Sequence, residues 1–101
     1  MIIKHALVAL TTHATAYSFT IPGNASNLRF HNREGTEVIR YSFDNFTTYF
    51  TLPIPAAGAA ANNTGVQQFI NYKASPAGQV IYFMDPSNDG KNVEIEYTLD
   101  G

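Results

Sequence analysis

The chain lacks cysteine and tryptophan and is poor in charge. Only 14% of its 101 residues are Asp, Glu, Lys or Arg, against about a quarter in an average globular domain. The missing cysteine excludes disulfides and thiolate metal sites. The scarcity of charge predicts that part of the surface is neutral or apolar, as on a protein that works against a neighbour.

Long apolar runs and excess basic charge are missing as well. The net charge is -2, whereas a domain that holds nucleic acid is usually basic. The longest apolar run, Ala6–Leu10, is too short to cross a bilayer. With Lys4 before it and Ala14-Thr15-Ala16 after it, this run imitates a signal peptide, but such a peptide needs an apolar region of about 7–15 residues. We therefore expect no nucleic-acid partner, no membrane partner and no signal peptide.

What the chain does contain is apolar and aromatic residues at alternating positions. Hydrophobic residues make up 45% of the sequence and aromatic residues 13%. A period of two is that of a strand with one buried face. Turn-forming residues separate the alternating segments about every ten residues. We predict an all-β protein with one domain over residues 1–101, an antiparallel β-sandwich or jelly roll of seven or eight strands. The clearest segments are Tyr17–Ile21, Leu28–Phe30, Ile39–Phe43 and Val93–Leu99.

Other segments allow two interpretations. Ile2–Leu10 suits a helix by its spacing and a strand by its Ile and Val content. Residues 1–16 could thus form the domain's first strand or an arm that adds a strand to a neighbouring chain. Val66–Lys73 could be a short helix, but its composition favours a strand. Val80–Met84 is apolar on both faces, which predicts a central strand covered on both sides, and Tyr49–Leu52 allows the same interpretation.

No residue constellation points to catalysis. Nucleophilic catalysis needs a hydroxyl or thiol with a base in reach, and the three histidines lie in no such motif. We interpret His31 as a solvated residue at a hairpin end, and Glu94 with Glu96 as a solvated strand face. We therefore predict no enzyme activity, no catalytic residue and no cofactor.

One loop imitates a calcium site. Five residues match the spacing of ligands and glycine in an EF-hand loop, namely Asp85, Ser87, Asp89, Gly90 and Glu96. However, the flanks read as strands, Asn92 stands where the EF-hand carries an aliphatic residue, and Glu96 would point away on an extended chain. A hairpin turn would account for the same Asp, Asn and Gly residues. We predict no metal site and keep calcium binding as the alternative.

Three parts of the chain are predicted to make protein contacts. Arg29, Arg33 and Arg40 fall in an expected hairpin from Leu28 to Phe43, where they would meet an acidic surface or form a solvated face. The connection over residues 53–65 is long enough to bind a partner or to be a mobile loop. The predicted interface residues are Ile2, Ile3, Leu7, Val8, Arg29, Arg33, Arg40, Pro53, Ile54 and Pro55.

A resemblance to a known family covers about residues 28–53. The series Leu28-Arg29-Phe30-His31-Asn32, then Gly35, then Val38-Ile39-Arg40-Tyr41-Ser42-Phe43-Asp44-Asn45, then Tyr49-Phe50-Thr51-Leu52-Pro53 resembles short β-rich virion proteins of tailed bacteriophages. In that family, small β-sandwich proteins decorate or cement the capsid, often as trimers, and others sit at the head–tail junction.

The resemblance implies a non-enzymatic structural virion protein that self-associates, with a homotrimer favoured. Its partner would be the major capsid protein or another virion protein, at the capsid surface or in the head–tail region. The alternative is a small carbohydrate- or glycan-binding β-sandwich module. The six tyrosines support this alternative, while the absence of tryptophan counts against it.

Overall fold

The computed structural model describes residues 2–32, 38–52, 66–73 and 78–99, with residues 66–73 described by their backbone. This part of the chain forms eight strands and no helix, and hence no helix that could span a membrane. The strands are β1 (Ile2–Leu10), β2 (Tyr17–Ile21), β3 (Ala25–Asn32), β4 (Ile39–Ser42), β5 (Phe50–Leu52), β6 (Val66–Lys73), β7 (Gln79–Met84) and β8 (Lys91–Leu99).

The strands form two four-stranded antiparallel sheets that pack face to face. Sheet 1 has the order β1-β8-β3-β6 and sheet 2 the order β2-β7-β4-β5. Among the described strands, β4 and β5 are the one pair that follow each other in the chain and also lie in one sheet. Every other step along the chain changes sheet, and the resulting order is that of an eight-stranded jelly roll. The prediction of an antiparallel β-sandwich is confirmed.

The expected hairpin from Leu28 to Phe43 is wrong. Strand β3 lies in sheet 1 and β4 in sheet 2, so the chain crosses between the sheets after Asn32. Phe30 and Tyr41 consequently meet across the sandwich, with ring centroids 5.0 Å apart in an edge-on arrangement. Alternation shows that each segment has one buried face. It does not show whether the next strand of the chain lies in the same sheet or in the opposite sheet, because the alternating pattern is the same in both cases.

The segment between β7 and β8 is not a hairpin turn either, since those strands also belong to different sheets. Asp85 is fully buried, and its Oδ1 accepts hydrogen bonds from the backbone N–H groups of Ser87 at 2.8 Å and Asn88 at 3.0 Å. Such an Asx turn redirects the chain whether or not the flanking strands pair with each other. The Asn, Asp and Gly content therefore indicated a turn without specifying what it connects.

The ambiguous segments resolve as strands. Ile2–Leu10 pairs with β8 in an unbroken register from Ile2 opposite Leu99 to Leu10 opposite Lys91, so it is the first strand of this domain's own sheet. Val66–Lys73 is a strand, as preferred. Strand β7 is central in sheet 2.

The prediction that β7 and Tyr49–Leu52 are covered on both sides is wrong. Ile81 and Phe83 are buried between the sheets, whereas Val80 is exposed on the opposite face. Tyr49 and Phe50 are exposed as well, and Leu52 is buried. A two-layer sandwich has no third layer over its outer faces, which leaves Val80 open to solvent. Phe50 has the parity of the buried Leu52 and is exposed because it lies on the short edge strand β5.

The core lies between the two sheets and centres on Phe30, which has no exposed surface. The Phe30 ring contacts Phe83 edge-on, again with centroids 5.0 Å apart. Alternate residues of the other strands complete the core, among them Leu10, Ile21, Ile39, Leu52, Ile81, Val93 and Ile95. Each of these faces inward because it shares its parity with the other apolar residues of its strand.

Candidate functional site

Among the strands that the structure describes, β1 forms an edge of sheet 1. Its nine residues contain no proline, and their register with β8 is unbroken by a bulge. Natural sheets usually protect such edges with prolines, bulges or several lysines, because the unpaired backbone groups attract another strand. Ile3 and Leu7 point outward from the sandwich with 66% and 64% of their surfaces exposed. The edge therefore combines open backbone groups with apolar side chains.

Three of the four interface residues predicted on β1 are exposed. Ile2, Ile3 and Leu7 are open to solvent, whereas Val8 packs in the core. The Val8 side chain therefore offers no contact to a partner in this fold. Val8 shares its parity with the fully buried Leu10. It was predicted as a contact of an N-terminal arm, but β1 belongs to the domain's own sheet and turns this face to the core.

A charged cluster covers the outer face of sheet 1 beside β1. Its members are His5, Arg29, His31, Glu94 and Glu96. Nε2 of His5 lies 3.4 Å from Oε1 of Glu94 and 3.6 Å from Oε2 of Glu96. Nδ1 of His31 lies 3.7 Å from Oε1 of Glu94, and Nη1 of Arg29 lies 3.7 Å from Oε2 of Glu96. The two glutamates are thus surrounded by basic side chains.

This arrangement corrects the interpretation of Glu94 and His31 as solvated residues. The Glu94 side chain is only 14% exposed and the His31 side chain 25%. The sequence could not show this, because the cluster forms only when β1 and β3 flank β8. Ion pairs of this length contribute little to stability. Among the described residues, no group of His, Asp and Glu has a geometry that would hold a metal ion.

An aromatic patch marks sheet 2 around β4 and β5. It consists of Arg40, Phe43, Phe46, Tyr49 and Phe50, with Tyr49 51% exposed and Phe50 53% exposed. The Phe50 ring is 6.5 Å from that of Phe43, and the Tyr49 ring is 6.4 Å from that of Phe46. The guanidinium carbon of Arg40 lies 4.7 Å from the centre of the Tyr49 ring, in a cation–π contact. Phe43 and Phe50 share the inward parity of the buried Tyr41, whereas Arg40 has the opposite parity. The aromatic patch therefore lies around the β4–β5 edge of the sandwich, with Tyr49 and Phe50 as its exposed rings.

A hydrogen-bonded turn between β4 and β5 holds the aromatic patch. The Ser42 hydroxyl lies 2.7 Å from Oδ1 of Asp44 and 2.6 Å from the Thr48 carbonyl oxygen, so it can donate to either. The Asp44 carboxylate also accepts from the Thr48 backbone N–H at 3.0 Å and the Thr48 hydroxyl at 2.7 Å. These bonds tie the two ends of the turn together.

The same turn has two consecutive residues in the left-handed region. Asn45 has φ 53° and Phe46 has φ 64°, a conformation that costs a residue with a Cβ roughly 1–2 kcal/mol. The Phe46 backbone N–H donates to Oγ of Ser42 at 2.9 Å, which compensates part of this cost. Backbone strain of this kind clusters at functional sites. The strained turn therefore makes the adjacent aromatic patch a candidate functional site.

The hydrogen bonds to Asp44 make this turn sensitive to acid. The side chains of Ser42 and Thr48, then the Thr48 backbone, lower the pKa of Asp44 from 3.8 to about 2. Because the folded pKa lies below the unfolded one, the carboxylate stabilises the fold fully above about pH 4 and loses this effect as the pH falls toward 2. We expect Asp44→Asn to lower the urea midpoint at neutral pH and to match the unsubstituted protein near pH 2. A difference that stays constant between these pH values would contradict the assignment.

The predicted arginine cluster does not form. Arg40 belongs to the aromatic patch on sheet 2, while Arg29 lies on sheet 1 beside Glu96. The two would lie together only if β3 and β4 formed one hairpin, and these strands belong to different sheets. Arg33 lies outside the described residues, as do Pro53, Ile54, Pro55 and the rest of the 53–65 connection.

The calcium-like spacing does not produce the corresponding ligand set. Glu96 lies on the outer face of sheet 1 near Arg29 and His5. Oδ1 of Asp89 accepts from the His13 backbone N–H at 2.7 Å and lies 2.7 Å from Nδ1 of the His13 ring. These His13 contacts, the backbone one first, lower the pKa of Asp89. Both aspartates of the turn thus serve to close the end of the sandwich.

Comparison with protein-family models, with curated proteins and with solved structures gives no match. The described residues enclose no cavity. The class of this protein is therefore defined by its strand order and its exposed surfaces alone. The described residues form a β-sandwich of jelly-roll order, with β1 at an edge of sheet 1 and an exposed aromatic patch at β4 and β5.

Proposed function

We propose that this chain is a non-enzymatic structural protein of a bacteriophage virion, which binds and stabilises the capsid through protein–protein contacts. The observation that carries the proposal is the pair of exposed apolar surfaces on opposite sides of one sandwich. The resemblance over residues 28–53 supplies the virion context. Jelly-roll sandwiches are frequent in viral capsids but occur in other proteins too, so the surfaces and not the fold carry the argument.

The opposite placement of the two surfaces follows from the strand order. Strand β1 of sheet 1 contacts β2 of sheet 2, and β3 of sheet 1 contacts β5 of sheet 2. Since β2 and β5 are the two ends of sheet 2, the β1 edge and the aromatic patch lie at opposite lateral sides. A domain with contact surfaces on two sides can hold two neighbours at once, and simultaneous contacts strengthen attachment to a repetitive shell.

The two surfaces suit different partners. Tyr and Arg side chains are enriched among the residues that dominate binding energy at protein interfaces, so we assign the aromatic patch to the capsid contact. Its partner is the major capsid protein or another virion protein, at the capsid surface or in the head–tail region. Strand β1 is assigned to self-association, and the homotrimer is an implication of the resemblance alone.

The test is co-sedimentation of the purified chain with capsids of the phage whose genome encodes it. We expect Tyr49→Ala combined with Phe50→Ala to weaken binding by about 30-fold or more, because loss of a dominant contact costs about 2 kcal/mol. Val80→Ala is the matched control, since it removes an exposed apolar side chain from sheet 2 outside the aromatic patch. Failure of the unsubstituted chain to sediment with capsids would refute the proposal.

The exposed Tyr49, ordered by Arg40, is the observation that favours glycan binding as the second candidate. Aromatic rings with a free face can pack against sugar rings, and an ordered ring loses little conformational entropy on binding. Binding of the monomer to a glycan array, abolished by Tyr49→Ala, would support this candidate over the capsid role.

A further inference from the structure

We infer that β1 pairs antiparallel with β1 of a second copy of this chain around a two-fold axis, which joins the two copies of sheet 1 into one continuous eight-stranded sheet. This deepens the self-association that is part of the proposed function and rests on it. The resemblance implies a trimer, whereas pairing by a two-fold axis gives a dimer.

Symmetry limits the registers that such a pair can adopt. In an antiparallel pair of identical strands related by a two-fold axis, the residue numbers of any two opposite residues add up to the same sum, which defines the register. A two-fold axis perpendicular to the sheet keeps both outer faces on the same side, so this sum must be even. The side chains that meet are then those of one face in both copies.

One of these registers pairs both Ile3 and Leu7 of each copy with an apolar side chain of the other. With a sum of ten, Ile3 lies opposite Leu7 of the second copy and Leu7 lies opposite its Ile3, so both apolar side chains on the outer face of β1 are covered in each copy. His5 then faces His5. With a sum of twelve, Leu7 would instead face the polar His5, and Ile3 would face the small Ala9. Cross-strand apolar pairs stabilise a sheet, which favours the first register.

Charge does not oppose this pairing. Lys4 is the one charged residue of β1 apart from the titratable His5, and in the preferred register it faces Ala6. The two Lys4 side chains are therefore not placed opposite each other. The carboxylates of Glu94 and Glu96 lie within 3.6 Å of the His5 ring of the same copy, next to the position where His5 would face His5.

The two edge strands of sheet 2, β2 and β5, are less suited to pairing with a second copy than β1 is. Strand β2 has five residues and β5 has three, against nine in β1. Pro22 follows β2 directly, and a proline at a strand end stops extension of a ladder. The backbone alone therefore favours β1 over these two edges as the pairing strand.

The first experiment measures the dimer dissociation constant by analytical ultracentrifugation. Leu7→Lys places a charge in both apolar pairs, and we expect it to weaken the dimer by about tenfold or more. Thr20→Lys, which adds the same charge to an exposed position of β2, is expected to leave the dissociation constant unchanged. A chain that remains monomeric at millimolar concentration, or that forms a trimer, would overturn the inference.

The second experiment determines the register by cross-linking. The chain has no cysteine, so an introduced thiol reacts only with another introduced thiol. Opposite Cα atoms in an antiparallel pair are about 4.5–5.5 Å apart, within the range that a disulfide spans. Under oxidation by diamide, His5→Cys alone should link two copies, and a mixture of Ile3→Cys and Leu7→Cys should form a mixed dimer. Cross-linking of Ala6→Cys but not of His5→Cys would overturn the assigned register.

The same variants separate failure of this inference from failure of the proposed function. Leu7→Lys should still reach the capsid through its aromatic patch, with lower avidity. Tyr49→Ala with Phe50→Ala should still form the dimer while losing the capsid. A dimer that never binds capsids supports the pairing and refutes the capsid role, and capsid binding by a strict monomer does the reverse.

Discussion

Replacement of Phe30 by alanine is expected to lower the free energy of unfolding by about 3–5 kcal/mol, the usual cost of removing a fully buried aromatic ring. Phe30 has no exposed surface and contacts Tyr41 and Phe83 edge-on across the centre of the sandwich. The alanine would leave a cavity where the two sheets meet. Because a domain of this size has about 5–15 kcal/mol of total stability, the variant would retain only part of its folded population on mild heating.

Urea unfolding followed by circular dichroism measures this loss. Phe30→Leu keeps an apolar side chain in the gap and is expected to lose roughly half as much or less. Val80→Ala, which truncates an exposed side chain, should change stability little. A loss below about 1 kcal/mol for Phe30→Ala would place the centre of the core elsewhere.

Replacement of Gly78 by alanine is expected to cost about 2 kcal/mol or more, for two separate reasons. Gly78 has φ 92°, a conformation that disfavours any side chain. In addition, a Cβ at this position would lie 2.9 Å from the carbonyl oxygen of Ile21. That oxygen belongs to the backbone, so relief of the clash would require β2 to move relative to β7.

Gly90 provides the matched control for this prediction. Its φ of 74° also lies in the left-handed region, but a Cβ there would meet no atom within 4 Å. Gly90→Ala should therefore cost only the conformational term, about 1 kcal/mol. Equal losses of urea-unfolding free energy for the two variants would show that contact with Ile21 contributes nothing.

The assignment of faces could be predicted from the sequence alone. The expected segment Tyr17–Ile21 is a strand, Val93–Leu99 lies within β8, and Ile39–Phe43 is a strand up to Ser42. The alternation correctly indicated that Ile39 and Tyr41 face inward, as do Val93 and Ile95. This information is local, because neighbouring side chains of an extended chain point to opposite faces whatever the rest of the molecule does. Residue type then shows which face is buried.

The surfaces proposed to bind partners could be predicted only in part. Ile2, Ile3 and Leu7 were expected at an interface and are exposed on an edge strand. The aromatic patch was not expected, because Tyr49 and Phe50 read as residues of a strand covered on both sides. Nor was the cluster of His5, His31 and Glu94, whose members lie on three strands that are distant in the chain.

By itself, the sequence determined that this protein is built of strands with one buried face each, since side-chain parity is a property of the extended backbone. Only the tertiary structure decided which strands share a sheet, which of them is left at an edge, and which polar groups meet. Pairing depends on how all eight strands close around one core, and an alternating strand carries the same pattern whether its chain neighbour lies beside it or across from it.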